Sequence, residues 1–70
     1  MRLSTRNQLS GTVSEITIGA VMATVKLTLD GGQQVITASI TKEAVEELGL
    51  TVGSPATALV KSTEVMIGVE

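Results

Sequence analysis

From Leu9 the chain alternates: Leu9, Gly11 and Val13 are separated by Ser10, Thr12 and Ser14, the period of a strand with one buried face. The apolar phase then slips by one position, to Ile16 and Ile18. One additional residue near Ser14–Glu15 produces that slip, which predicts a β-bulge and a bent first strand. After Gly19-Ala20 the stretch VMATVKLTL alternates cleanly, with Val21, Ala23, Val25, Leu27 and Leu29 on one face and Met22, Thr24, Lys26 and Thr28 on the other. Asp30-Gly31-Gly32 follows as a hairpin signal, because glycine tolerates the positive φ that tight turns need. The returning strand presents Ile36, Ala38 and Ile40 inward, against Thr37 and Ser39.

At Thr41 the period changes. Its hydroxyl can cap a short helix, Glu43 suits the positive N-terminal end, and Val45 and Leu48 lie one turn apart on a single face. Gly49 is the left-handed C-terminal cap, with Leu50 for the accompanying hydrophobic contact. VGSP is then a turn, and Pro55 rules out a central strand position. ATALVK and EVMIGVE read as two final strands separated by Ser62-Thr63. The order predicts a single mainly β domain over residues 1–70. Its expected form is a five-stranded OB-like Greek-key barrel with one short helix between the third and fourth strands.

Composition narrows what such a barrel could do. There is no Cys, no His and no aromatic residue in 70 positions, so disulfides, thiolate-bound zinc and the largest core side chains are all missing. Yet 43% of the chain is apolar, which points to self-association as the remaining stabiliser. A net charge of −2 and the lack of stacking side chains argue against nucleic acid as a partner. Neither a membrane span nor a secretory leader is visible, which gives a cytoplasmic expectation. Without His or Cys, acid–base or nucleophilic catalysis would rest on Glu, Lys or Ser alone, so no enzyme is expected.

Three polar groups near strand ends stand out: Ser4-Thr5-Arg6-Asn7, Ser39-Ile40-Thr41 and Lys61-Ser62-Thr63. Each is rich in hydroxyls, and two carry a cation. A tetrahedral oxyanion calls for this mixture of N–H and O–H donors with one or two positive charges. Each group also has a plainer reading. Arg6 suits a solvated terminus, Lys61 alternates outward with Thr57 and Leu59, and Thr41 is sufficient as a helix cap. Gly19-Ala20-Val21 is adequate as a tight strand connection, and Glu43, Glu46 and Glu47 as the wet face of the helix. These carboxylates lack the converging loop of a Ca²⁺ or Mg²⁺ site.

The spelling of the motifs is more specific than their composition. SxRNQLxGxV at Ser4–Val13, GAV at Gly19–Val21, VEELGLxVG at Val45–Gly53 and ALVKSTEVMIGV at Ala58–Val69 together resemble the molbindins, the Mop family of small molybdate-binding proteins. The similarity runs in order over essentially the whole chain. It implies an OB-like barrel assembled as a hexamer, a trimer of dimers, that stores or buffers molybdate or tungstate in the cytoplasm. It further implies anion sites between subunits, mapped here to Ser4, Thr5, Arg6, Ile40, Thr41, Lys61 and Ser62, and a second class on the three-fold axis mapped to Gly19, Ala20 and Val21. No protein atom need coordinate the metal itself. Thr5 departs from the Ala common in the family, so an additional hydroxyl either adds a contact or crowds the pocket. Two rival classes are a regulatory interaction module, in which the anion alters a protein contact, and a nucleic-acid-binding OB domain.

Overall fold

The structure, a computed structural model describing all residues 1–70, is one curled antiparallel sheet with a short helix. In chain order the elements are β1 (Asn7–Ile18), β2 (Met22–Leu29), β3 (Val35–Thr41), α1 (Lys42–Leu48) and β4 (Pro55–Val60), followed by a 3₁₀ turn over Ser62–Glu64. The strand order is β3-β2-β1-β4, so β1 and β2 are central while β3 and β4 are edges. No helix is long and apolar enough to cross a membrane.

The expected bulge is present. Val13 faces Leu27 and Glu15 faces Lys26, leaving Ser14 as the surplus residue, and its hydroxyl donates to the Lys26 carbonyl at 3.2 Å. The bulge moves the buried face from Gly11 and Val13 to Ile16, so one strand serves two partners along its length. Gly11 is required at the crossing: a Cβ there would strike the backbone carbonyl of Thr28. The turn after α1 docks on the same point, with the Val13 N–H donating to Ser54 (2.9 Å) and the Gly53 N–H donating to Val13 (2.8 Å).

The helix also forms as its caps dictate. The Thr41 hydroxyl accepts from the Ala44 N–H at 3.0 Å, and Gly49 closes the end at φ 65°, in the left-handed region that glycine enters freely. Val45 is the helix's one buried residue, joining Val13, Ala23, Val25 and Leu27 in a core of five side chains. That core is small even for 70 residues, and its stabilisation is correspondingly marginal.

Three expectations need correcting. The expected fifth strand, EVMIGVE, pairs with nothing, so the sheet has four strands and the barrel is open. Two-residue hairpin loops require positive φ, which Ser62 and Thr63 do not adopt; the chain instead leaves β4 through the 3₁₀ turn. Val21 does not share the buried face of β2 but sits in the turn before it, 70% exposed. Leu48 is 69% exposed, because a helix of seven residues reaches the core with Val45 alone.

Candidate functional site

One end of the sheet carries Arg6 and Lys61. The last rung of the β1–β4 ladder pairs Asn7 with Val60, and the Asn7 side-chain amide donates to the Val60 carbonyl at 3.1 Å. Arg6 lies one residue before that rung and Lys61 one after, so antiparallel pairing sets the two charges beside each other. The Gln8 side chain donates to the Thr5 carbonyl at 2.8 Å, tying the preceding segment to the strand. Ser4, Arg6, Lys61 and Ser62 are exposed, and Thr5 is half-buried. No carboxylate neutralises either cation, since the one ion pair in the chain is Lys26–Glu15. The hydroxyls of Ser4, Thr5 and Ser62 make no hydrogen bond within the chain.

The other end is built from backbone. The Gly19 N–H donates to Met22 (2.8 Å), closing the β1–β2 turn, and the Lys42 N–H donates to Val21 (2.8 Å), tying that turn to the start of α1. Met22 pairs with Thr41 and Ala23 with Ile40 across the β2–β3 ladder. A shallow recess is lined by Ala20, Val21, Thr41, Lys42, Glu43 and Glu46. Gly19–Val21 and Ile40-Thr41, assigned by sequence to two different sites, are therefore neighbours. Because the Thr41 oxygen is accepting from Ala44, its hydroxyl proton is free to be donated outward. The Ile40 side chain packs on the core, leaving its backbone for any ligand. Lys42, which the sequence reading did not single out, also lines this recess, directly after the capping Thr41.

These two ends do not meet. Arg6 and Lys61 flank the start of β1, whereas Thr41 lies beyond its finish at Ile18, a path of roughly 35 Å at about 3.3 Å per residue. Of the interface set, Arg6 and Lys61 flank the Asn7–Val60 rung with Ser4, Thr5 and Ser62 close by in sequence, whereas Ile40 and Thr41 lie at the far end of β1, beside Ala23 and Met22. The chemistry available is donation by ammonium, guanidinium, hydroxyl and amide groups. No cluster of three or more His, Cys, Asp or Glu residues is placed to hold a metal ion.

Residues 3–67 match the TOBE domain. The chain is 46% identical over 70 residues to the probable molybdenum-pterin-binding protein of Haemophilus influenzae, covering all of both chains. It is 50% identical over 68 residues to the molybdenum transport protein ModE of Herbaspirillum seropedicae, covering 97% of this chain but only a quarter (25%) of that protein. Among solved structures it superposes on MopII from Clostridium pasteurianum with a TM-score of 0.90 and 46% identity, covering 97% of this chain and 100% of MopII. It superposes on the cytoplasmic molybdate-binding protein ModG, solved with molybdate bound, with a TM-score of 0.92 and 53% identity, covering 100% of this chain and 49% of ModG. These relatives are named for binding or transport and none for catalysis. The chain belongs to the TOBE-domain family, among its Mop-type molybdenum-pterin-binding members.

Proposed function

We propose that residues 1–70 act as one molybdate-binding domain that holds the oxyanion between subunits, for storage or homeostasis in the cytoplasm. The observation that carries this reading is the division of the donor set. Arg6 and Lys61 supply charge at one end of β1, and Thr41 supplies an outward hydroxyl at the other. One chain does not bring them together, but two chains packed end against end do. Ser4, Thr5, Arg6, Lys61 and Ser62 of one protomer would then face Ile40 and Thr41 of its partner. A second site, at Gly19, Ala20 and Val21, would lie on a three-fold axis of a hexamer built as a trimer of dimers.

The energetics are adequate. Hydrogen bonds to charged groups contribute roughly 1.5–3 kcal/mol each, and micromolar affinity needs about 8 kcal/mol. Four or five such bonds, less the cost of desolvating a dianion, reach that range. An interface strengthens each bond by excluding water. Selection against sulfate would come from cavity size, since molybdate has the same charge and shape with longer bonds to oxygen. Tungstate, nearly equal in size to molybdate, would be bound comparably.

A ligand that binds the assembled form stabilises it by about 2.7 kcal/mol at a hundredfold excess over Kd. At about 4–8 °C per kcal/mol, Tm should rise by on the order of 10 °C with molybdate or tungstate and much less with sulfate. A flat Tm at millimolar molybdate and tungstate would overturn the reading.

A further inference from the structure

The β1–β4 ladder stops at the Asn7–Val60 rung, one residue short of Arg6 and of Lys61. Past it no ladder bond holds either cation's main chain, and neither the Arg6 nor the Lys61 N–H donates to an acceptor within the chain. Unpaired strand ends of this kind fray. Both cationic side chains are also long, rotamer-rich and exposed. Left to itself, this end would offer two wandering charges.

Two consecutive amide side chains sit at that boundary. Asn7, half-buried, donates from Nδ2 to the Val60 carbonyl at 3.1 Å, 53 positions away in sequence. Gln8 donates from Nε2 to the Thr5 carbonyl at 2.8 Å, back across the bend at Arg6. Neighbours on a strand point to opposite faces, so each amide serves a different segment. The choice of carbonyls matters. Each belongs to the peptide whose N–H is that of a cation, Val60–Lys61 in one case and Thr5–Arg6 in the other. All peptides in the chain are trans. A trans peptide is planar, so pinning its oxygen also fixes the nitrogen from which the next residue departs.

We infer that Asn7 and Gln8 are positioning residues for oxyanion binding, Asn7 acting through Lys61 and Gln8 through Arg6. The inference rests on the anion reading above and adds to it two residues that touch no ligand. Lys61 is held from both sides, since its own carbonyl accepts from the Glu64 N–H at 2.9 Å as the chain enters the 3₁₀ turn. With the main chain fixed, only the two side chains remain to be ordered when the dianion arrives, which lowers the entropic cost of binding. The choice of amides also follows. A carboxylate at either position could not donate to a carbonyl, and it would compete with the anion for Arg6 and Lys61.

Asn7→Leu and Gln8→Met keep the approximate shape and lose the donor. Without molybdate, nitrogen relaxation of the labelled full-length chain should show order falling at Lys61 in Asn7→Leu and at Arg6 in Gln8→Met. The order parameter should drop from about 0.85 toward about 0.6, with β2 and β3 unchanged. Calorimetric titration should show molybdate bound about three- to tenfold more weakly by each variant, the scale of one neutral hydrogen bond. A double-mutant cycle separates positioning from a general loss of structure. In a Lys61→Ala chain Asn7→Leu should cost less than about twofold, and so should Gln8→Met in an Arg6→Ala chain. A loss that persists in full once the cation is gone would overturn the inference, as would unchanged order at both residues. Should Asn7→Leu unfold the sheet, Gln8→Met decides alone, because its bond spans three residues and joins no strand pair. A parent chain that does not bind molybdate fails the anion reading and the inference with it. A parent that binds, beside variants that bind equally tightly, fails the inference alone.

Discussion

The two ends of β1 are made differently. At Asn7 the chain offers charge with little organisation: Arg6 and Lys61 lie side by side through one terminal rung and two side-chain-to-backbone bonds, without a counter-ion. Beyond Ile18 it offers organisation with mixed charge, Lys42 beside Glu43 and Glu46. There the Gly19, Lys42 and Ala44 N–H groups each have a defined acceptor, so the Thr41 hydroxyl and the 19–21 turn are held before any ligand arrives. A dianion needs both qualities, because charge offsets its lost hydration and fixed donors avoid the entropy of ordering the site. Within one chain they are separated by the length of a strand, so the proposed site draws on more than one chain.

The largest effects should come from removing charge at the first end. Arg6→Ala and Lys61→Ala should each weaken molybdate roughly ten- to a hundredfold, from about 1.5–3 kcal/mol per charge-assisted bond. Both side chains are exposed and unpaired within the chain, so Tm without molybdate should stay within a few degrees of the parent. Calorimetric titration and a melting scan check the two halves of this prediction. Equal losses of Tm with and without the ligand would make the charged end structural instead.

The second end should respond in the opposite way. A Cβ on Gly19 would sit 2.8 Å from the Met22 carbonyl oxygen, which the Gly19 N–H itself contacts. Gly19→Ala should therefore displace the turn and destabilise by about 1–3 kcal/mol, the range for forced overpacking. That is on the order of 10 °C in a melting scan without ligand. Thr41 separates geometry from charge more finely. Thr41→Ala loses the cap and should cost about 1 kcal/mol, whereas Thr41→Asp keeps a capping oxygen at the Ala44 N–H and turns a negative charge toward the anion. Thr41→Asp should melt near the parent temperature while binding molybdate at least tenfold more weakly. A Thr41→Asp chain that binds as the parent does would remove this end from the site.

Elements whose cause is local were legible before the structure. The slip at Ser14, the Asp30-Gly31-Gly32 turn and the Thr41 and Gly49 caps are each specified by residues within a few positions, and each formed where expected. The apolar alternation of Val65, Ile67 and Val69 was equally legible, but a strand exists only if an edge receives it, and no local signal says whether that edge belongs to the same chain. The candidate site divides along the same line. Hydroxyl and cation clusters are visible in the sequence, whereas the placing of Arg6 and Lys61 on either side of the Asn7–Val60 rung, and their separation from Thr41, follow from strand register. Val21 misled because alternation continues through it although the ladder begins at Met22.

The smallest expected effect lies between the two ends and tests whether they are independent. Lys26 and Glu15 meet at 3.3 Å beside the bulge, with side chains 45% and 57% exposed. An exposed pair of this kind contributes about 0–1 kcal/mol, so Glu15→Gln should lower Tm by no more than a few degrees. Ser14 would still bond the Lys26 carbonyl, because that contact is made to backbone, and the bulge should persist. Molybdate affinity should not change, since the bulge carries no donor of the proposed site and sits partway along β1 from both ends. A tenfold change in affinity for Glu15→Gln would mean that the bend of β1 sets the relation of its ends. The charged and ordered halves would then be coupled through one chain as well as across the interface.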